Sequence, residues 1–167
     1  KADNSPLTEA DLAAHEVIHR ALKKLTPGIP QLSEEDASIS FAERRQWQKY
    51  WLIDPLDGTK EFIRRNDEFT VNIALIENNR PILGIIYLPV KNVIYYGGTE
   101  LGAWKQPGSG PAQQILCRKL NTSLTVLTSR RHKNDRDQPI LNRLPQHFDT
   151  VTTESYGSSL KMCRIAE

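Results

Sequence analysis

Apolar positions along the chain fall into three successive patterns. From Thr8 to Leu25 they recur at helical spacing, and Leu12, Ile18, Leu22 and Leu25 predict one amphipathic helix. Thr8 suits its N-cap, Asp11 stands three residues on as in a capping box, and Thr26-Pro27-Gly28 ends it. From Pro30 the pattern shortens to strands. Pro30 to Asp36 predicts a short strand running into an acidic cluster, and Trp51-Leu52-Ile53 the end of a buried one. Pro55 fixes its own φ and lacks an N–H, so the sheet is expected to stop there. Residues 37–50 are polar, anchored by Phe41, Trp47 and Tyr50, and predict a lid or short helix; Lys60 to Asp67 predicts another short helix or a loop. Thr70 to Ile76 and Pro81 to Leu88 flank Asn78-Asn79, which suits a hairpin turn. Val93 to Tyr96, Ala103-Trp104 and Gln114 to Leu116 continue as short strands, so a mostly antiparallel sheet is expected.

The third pattern begins near residue 120. Leu124 to Ser129 and Asp149 to Thr153 predict strands, Asp135 to Leu144 and Ser158 to Glu167 helices. The expected division is an N-terminal α+β domain over residues 1–119 and the start of a C-terminal α/β domain over 120–167, cut short. The chain opens at Lys1 without Met and stops inside a predicted helix, which suggests a fragment.

Composition narrows the function. With 38% hydrophobic and 25% charged residues the chain resembles an ordinary globular protein, and a net charge of +2 gives no basic field for a nucleic-acid polymer. No apolar run reaches membrane-spanning length. Cys117 and Cys163 are far apart, so free thiols in a reducing cytoplasm are expected.

The chemistry concentrates in Asp54-Pro55-Leu56-Asp57-Gly58-Thr59. Two carboxylates can enter one cavity with the Leu56 carbonyl between them, an oxygen set that a hard divalent cation accepts. Gly58 lets its N–H approach an anion, and the N–H groups after it open a turn or helix. Metal and phosphate sites would then adjoin, as in a metal-assisted phosphatase. The plain alternative is a turn, since Asp, Pro and Gly are turn formers. An aspartate-nucleophile phosphatase is excluded, because Asp57-Gly58-Thr59 would place its nucleophile at Pro55. A second motif, His15-Glu16-Val17-Ile18-His19, matches the zinc-hydrolase helix His-Glu-x-x-His. It lacks the following Gly and His, since Leu22 and Leu25 stand there, and surface histidines are the plainer reading. Arg64 and Arg65, and the run Arg130-Arg131-His132-Lys133, are either anion contacts or solvated charges.

The hexapeptide at Asp54 resembles the signature of the lithium-sensitive, Mg-dependent inositol monophosphatase superfamily. Ser33-Glu34-Glu35-Asp36 resembles its Glu-Glu element, and Thr8 to Asp11 its N-terminal Thr-x-x-Asp element. The stretch from Tyr50 to Leu75 is most similar to the bacterial 3′(2′),5′-bisphosphate nucleotidase branch of sulfate assimilation. The resemblance implies a layered α/β sandwich of the inositol monophosphatase and fructose-1,6-bisphosphatase type. It implies two or three Mg2+ ions on Glu34, Asp54, Leu56 and Asp57. Glu34, Thr59 and Asp11 are the implied catalytic residues, orienting and deprotonating water. Glu34, Leu56, Asp57, Gly58, Thr59, Gly157, Ser158, Ser159 and Lys161 are the implied substrate contacts. The implied reaction removes the 3′-phosphate of adenosine 3′,5′-bisphosphate to give AMP, and extends to the sulfated nucleotide. Inositol or sugar phosphates are the alternative substrates within the family; a zinc hydrolase or an inactive nucleotide-binding fragment are the alternatives outside it. A cytoplasmic protein is implied, with the inner membrane face as a further option. The family completes its second metal site with a Trp-Asp element, whereas Trp47, Trp51 and Trp104 precede Gln48, Leu52 and Lys105. Weak or no turnover is therefore expected of these 167 residues alone.

Overall fold

The computed structural model describes residues 8–36, 38–130 and 137–167. Lys1 to Leu7, Arg131-His132-Lys133 and the predicted helix start at Asp135 lie outside them.

Helix α1 (Glu9–Leu25) starts as the sequence expects. Thr8 is its N-cap and both capping-box bonds are made, with Asp11 Oδ2 accepting from the Thr8 N–H at 2.9 Å. Its inward face differs from the expected one. Leu12 and Leu25 are 46% and 74% exposed, whereas Asp11 and Leu22 are buried and His15 and Ile18 half-buried. The stripe Asp11, His15, Ile18, Leu22 keeps the spacing of one helix face, and Leu12 lies about 100° round from it. Two of its members are polar, so an apolar pattern alone misplaces it.

Seven strands form one sheet in chain order: β1 (Gln31–Ser33), β2 (Lys49–Asp57), β3 (Thr70–Glu77), β4 (Arg80–Leu88), β5 (Val93–Gly98), β6 (Gly102–Pro107) and β7 (Gln113–Ile115). Only β1 and β2 pair in parallel; every other neighbour is antiparallel. The β3–β4 hairpin turns on Asn78 and Asn79 with φ of 50° and 61°, the paired left-handed residues that a tight hairpin requires. Short helices α2 (Phe41–Arg44) and α3 (Thr59–Arg64) sit on either side of β2 in the chain.

Pro55 does not end β2. The strand runs on to Asp57, and its register with β3 slips from Asp54↔Asn72 to Asp57↔Thr70. Three steps on β2 thus oppose two on β3, which is a bulge, and a bulge is where a sheet tolerates a residue without an N–H.

Helices pack on both faces of the sheet, covering part of each. Trp51 and Ile53 pack with Leu22 of α1, Ile73, Leu75 and Leu83; the Trp51 indole N–H also donates to Thr26 Oγ1 at 2.9 Å. The opposite face presents Leu88 and Tyr95 to Leu160 and Cys163 of α5 (Leu160–Ala166). Beyond this sheet, β8 (Ser123–Ser129) and β9 (Thr150–Tyr156) pair in parallel, linked through α4 (Asp137–Leu141) and a 3-10 turn at Leu144–Gln146. The predicted helix from 135 to 144 is thus shorter, interrupted by Arg143 before Pro145. Cys163 is buried and Cys117 exposed, both free thiols. Among the described residues no helix is long and apolar enough to cross a membrane.

Candidate active site

A cavity of about 530 Å³ lies between the bulged end of β2 and the turn joining β9 to α5. Glu34, Asp54, Leu56, Asp57, Gly58 and Thr59 line one side. Arg130, Gly157, Ser158, Ser159 and Lys161 line the other. A larger hollow of about 840 Å³ shares Glu34 and Asp54, but its floor of Leu52, Ala74, Gly84 and Ile86 is apolar sheet face. The charged groups gather in the smaller one.

Each wall follows from local structure. β1 runs parallel to β2, and the Glu34 N–H donates to Ile53 O at 3.0 Å, which sets Glu34 beside Asp54. The Asp54 carboxylate turns back on its own strand and accepts the Leu56 N–H at 3.2 Å. Gly58 caps α3 in the left-handed region at φ 91°, and a Cβ there would lie 3.2 Å from Ser158 Cβ. Thr59 is buried, its hydroxyl 3.5 Å from the Leu56 carbonyl.

Asp57 is held from across the cavity. Its Oδ2 accepts from Ser158 Oγ at 2.5 Å, from the Ser159 N–H at 2.7 Å and from Asn72 Nδ2 at 3.5 Å. Among the described residues its Oδ1 accepts no hydrogen bond, so that oxygen remains available to a ligand. The hydroxyls of Ser158 and Ser159 also meet Thr70 Oγ1 at 2.7 and 2.8 Å, and Ser159 Oγ donates to Asn72 Oδ1 at 2.9 Å. Ser159 is the N-cap of α5 but makes no side-chain cap bond to it, its hydroxyl being turned to Thr70 and Asn72 instead. Lys161 donates to the Ser158 and Tyr156 carbonyls at 2.8 and 3.3 Å and braces the same turn.

Charge is the feature that says what this cavity takes. Burial, and then the neighbouring charges of Glu34 and Asp57, push the Asp54 carboxyl up to about 7. A carboxyl pushed up in this way, crowded by two further carboxylates and beside a main-chain carbonyl, suits a hard divalent cation, which would relieve the crowding. Among the described residues no three His, Cys, Asp or Glu side chains close into a metal-holding group, so the fit rests on this charge and on the oxygen chemistry of the donors. Glu68 behaves oppositely: burial pushes it up, but bonds from Arg130 and the Gly157 N–H outweigh that and hold it low.

The comparisons agree with this chemistry. Residues 1–167 match the inositol monophosphatase family along their full length. The chain belongs to that family. A protein of Escherichia coli O157:H7 described as 3′(2′),5′-bisphosphate nucleotidase CysQ is 53% identical over 167 residues, which are all of this chain and 65% of the relative. Its Salmonella typhimurium counterpart is 52% identical over the same span. The crystal structure of CysQ from Bacteroides thetaiotaomicron superposes with a TM-score of 0.85 at 39% identity, covering 100% of this chain and 66% of that one. Inositol monophosphatase from Anabaena (Nostoc) sp. PCC 7120 superposes at 0.74 with 25% identity, over 95% of this chain and 62% of that one. The fold is therefore the mixed α/β layered sheet of this family, and the chain spans about 65% of the length of its curated relatives.

Of the expected site residues, Glu34, Asp54, Leu56, Asp57, Gly58, Thr59, Gly157, Ser158, Ser159 and Lys161 meet in the one cavity. Asp11 does not line it: it is fully buried and takes both the N–H and, at 2.5 Å, the hydroxyl of Thr8. Arg64 and Arg65 are exposed and outside it. His15 and His19 stack at 5.8 Å, and His15 Nδ1 meets Ser33 Oγ at 2.8 Å, tying α1 to β1. Glu68, Thr70 and Asn72 were not among the expected site residues. Thr70 and Asn72 had a readable signal, two polar residues at period two opening an otherwise apolar strand. Glu68 had none, because its partners lie 62 and 89 residues away.

Proposed function

We propose that this chain carries the cation- and phosphate-binding part of a Mg2+-dependent phosphatase acting on nucleoside 3′,5′-bisphosphates, adenosine 3′,5′-bisphosphate first. The observation that carries the reading is the meeting of Glu34, Asp54, Asp57 and the Leu56 carbonyl in one cavity, where burial and the Glu34 and Asp57 charges push the Asp54 carboxyl up. The identity of 53% to a bisphosphate nucleotidase supports the substrate class over inositol phosphates.

In this reading Glu34, Asp54, Asp57 and the Leu56 carbonyl hold the cation. Bound Mg2+ would supply charge neutralisation and Lewis acidity toward the scissile phosphate. Asp57 is fixed by its three donors and offers Oδ1. Glu34 takes a proton from the attacking water, and the Thr59 hydroxyl, already aimed at the Leu56 carbonyl, fixes that water. The N–H groups of Gly58 and Thr59 carry the phosphate oxygens, as fixed dipoles do at an oxyanion. Ser158, Ser159 and Lys161 belong to the wall that meets the nucleoside side of the substrate. Asp11 holds the start of α1 through Thr8 and supports the site from a distance.

Phosphate release from adenosine 3′,5′-bisphosphate and from inositol 1-phosphate tests this, with Mg2+ and with added Li+. It should be run on this chain and on a version completed to the length of the Escherichia coli relative. Selective, Li+-inhibited cleavage of the nucleotide by the completed protein is expected, with little turnover by this chain. Preference for inositol 1-phosphate would move the substrate class, and no cleavage of either by the completed protein would refute the reading.

A further inference from the structure

The bond that fixes Asp57 from the β9–α5 turn has an unusual property: one donor is the backbone N–H of Ser159, 2.7 Å from Oδ2. No side-chain substitution at 159 other than proline removes it. Whatever holds the turn therefore controls that carboxylate. The turn is not relaxed by itself, since Ser158 sits at φ 53°, in the left-handed region that a serine seldom adopts. It is anchored at its preceding residue: Gly157 N–H donates to Glu68 Oε2 at 2.7 Å, and Arg130 clamps the same carboxylate through Nε at 2.9 Å and Nη2 at 2.6 Å. Arg130 Nη2 also reaches the Ser155 carbonyl at 3.0 Å, so the clamp ties the loop before β3 to the ends of both β8 and β9.

We propose that Glu68 is a positioning residue for the cation site: through Gly157 it sets the Ser158–Ser159 turn, and through that turn it sets the orientation of the Asp57 carboxylate. This rests on the reading of Asp57 as a cation ligand. Partners that orient a metal ligand are typically worth about 10–100-fold in affinity, and Glu68 acts at one remove, so the lower end applies.

The test is Mg2+ affinity by titration calorimetry on this chain, with the Ser159 amide followed by heteronuclear NMR in EDTA. The unsubstituted chain binds Mg2+ and Asp57→Asn does not. Glu68→Ala weakens Mg2+ about tenfold and moves the Ser159 amide resonance. Glu68→Gln keeps an oxygen for the Gly157 N–H and recovers affinity to within about threefold of the original. Should Glu68→Ala fail to fold, Arg130→Met frees the same carboxylate while leaving it in place, and a fall of about threefold or more is expected. Mg2+ affinity unchanged in the folded Glu68→Ala variant, or in Arg130→Met where that variant stands in, reduces the clamp to a stabilising contact and overturns the inference alone. Absence of Mg2+ binding by the unsubstituted chain overturns the proposed function, and this inference with it.

Discussion

Asp54→Asn is expected to stabilise the cation-free chain and to abolish its response to Mg2+. In the folded chain burial and the Glu34 and Asp57 charges push the Asp54 carboxyl up to about 7, from an ordinary value of 3.8. Between those two values the folded state binds a proton that the unfolded state has released, so stability from this group is full below about pH 4 and lost as pH rises toward 7. The interval between those two values corresponds to about 4 kcal/mol. Water screens charges at this partly open site and reduces the contribution to about 2 kcal/mol. Asparagine keeps the acceptor for the Leu56 N–H and imitates the protonated acid that shares a hydrogen bond with Glu34. At pH 8 in EDTA the variant should therefore melt about 4–8 °C above the unsubstituted chain, and the gap should close by about pH 4. With Mg2+ at a hundred times its dissociation constant the unsubstituted chain gains about 2.7 kcal/mol, and the variant gains nothing. Differential scanning fluorimetry over pH 4–8, with and without Mg2+, gives all of these. A variant less stable than the original at pH 8 in EDTA, or a gap independent of pH, would sink the electrostatic reading of the site.

Other consequences follow from packing and capping. A Cβ at Gly157 would lie 2.7 Å from Glu61 Cγ and 3.2 Å from Glu68 Oε2; Gly157→Ala should cost about 1–3 kcal/mol, and an unchanged urea midpoint would contradict it. Thr8→Ala removes the capping-box hydroxyl of α1 and should cost about 1 kcal/mol by the same assay. Burial, and then the charge of Glu167, push the Cys163 thiol up to about 12. A thiol titrant at pH 8 should therefore modify exposed Cys117 readily and Cys163 only in denaturant, and fast reaction of two thiols in the native chain would refute that burial.

How much of this the sequence announced depended on how local each feature is. The α1 N-terminus and the Asn78-Asn79 hairpin are set by residues within four positions of one another, and both formed as their chemistry requires. The catalytic-looking string from Asp54 to Thr59 was readable because it is contiguous. Its other wall was readable only through family likeness, because nothing in Tyr156-Gly157-Ser158-Ser159 alone says that those hydroxyls abandon their helix for Asp57 and Thr70. The inward face of α1 was misplaced for a related reason: buried Asp11 and half-buried His15 bond to Thr8 and Ser33, and polarity hides such positions from an apolar count. Glu68 is the extreme case, an acid in a charged loop whose meaning depends wholly on a distant arginine and glycine.

The bulge at Pro55 connects these levels. In a regular strand side chains alternate, so residues three apart, such as Asp54 and Asp57, point to opposite faces. One would then face the cavity and the other α1, and no cavity would hold both. The slipped register opposite Asn72 and Thr70 inserts one extra residue between them and brings both acids to the same side. A proline is suited to that point because a bulge leaves an N–H without a ladder partner, and proline has none to leave. The same irregularity sets the Asp54 and Asp57 charges close enough to push Asp54 toward neutrality. What reads in the sequence as a strand terminator is in the fold the device that makes two carboxylates share one cavity, and the cost of that crowding is what a bound cation would relieve.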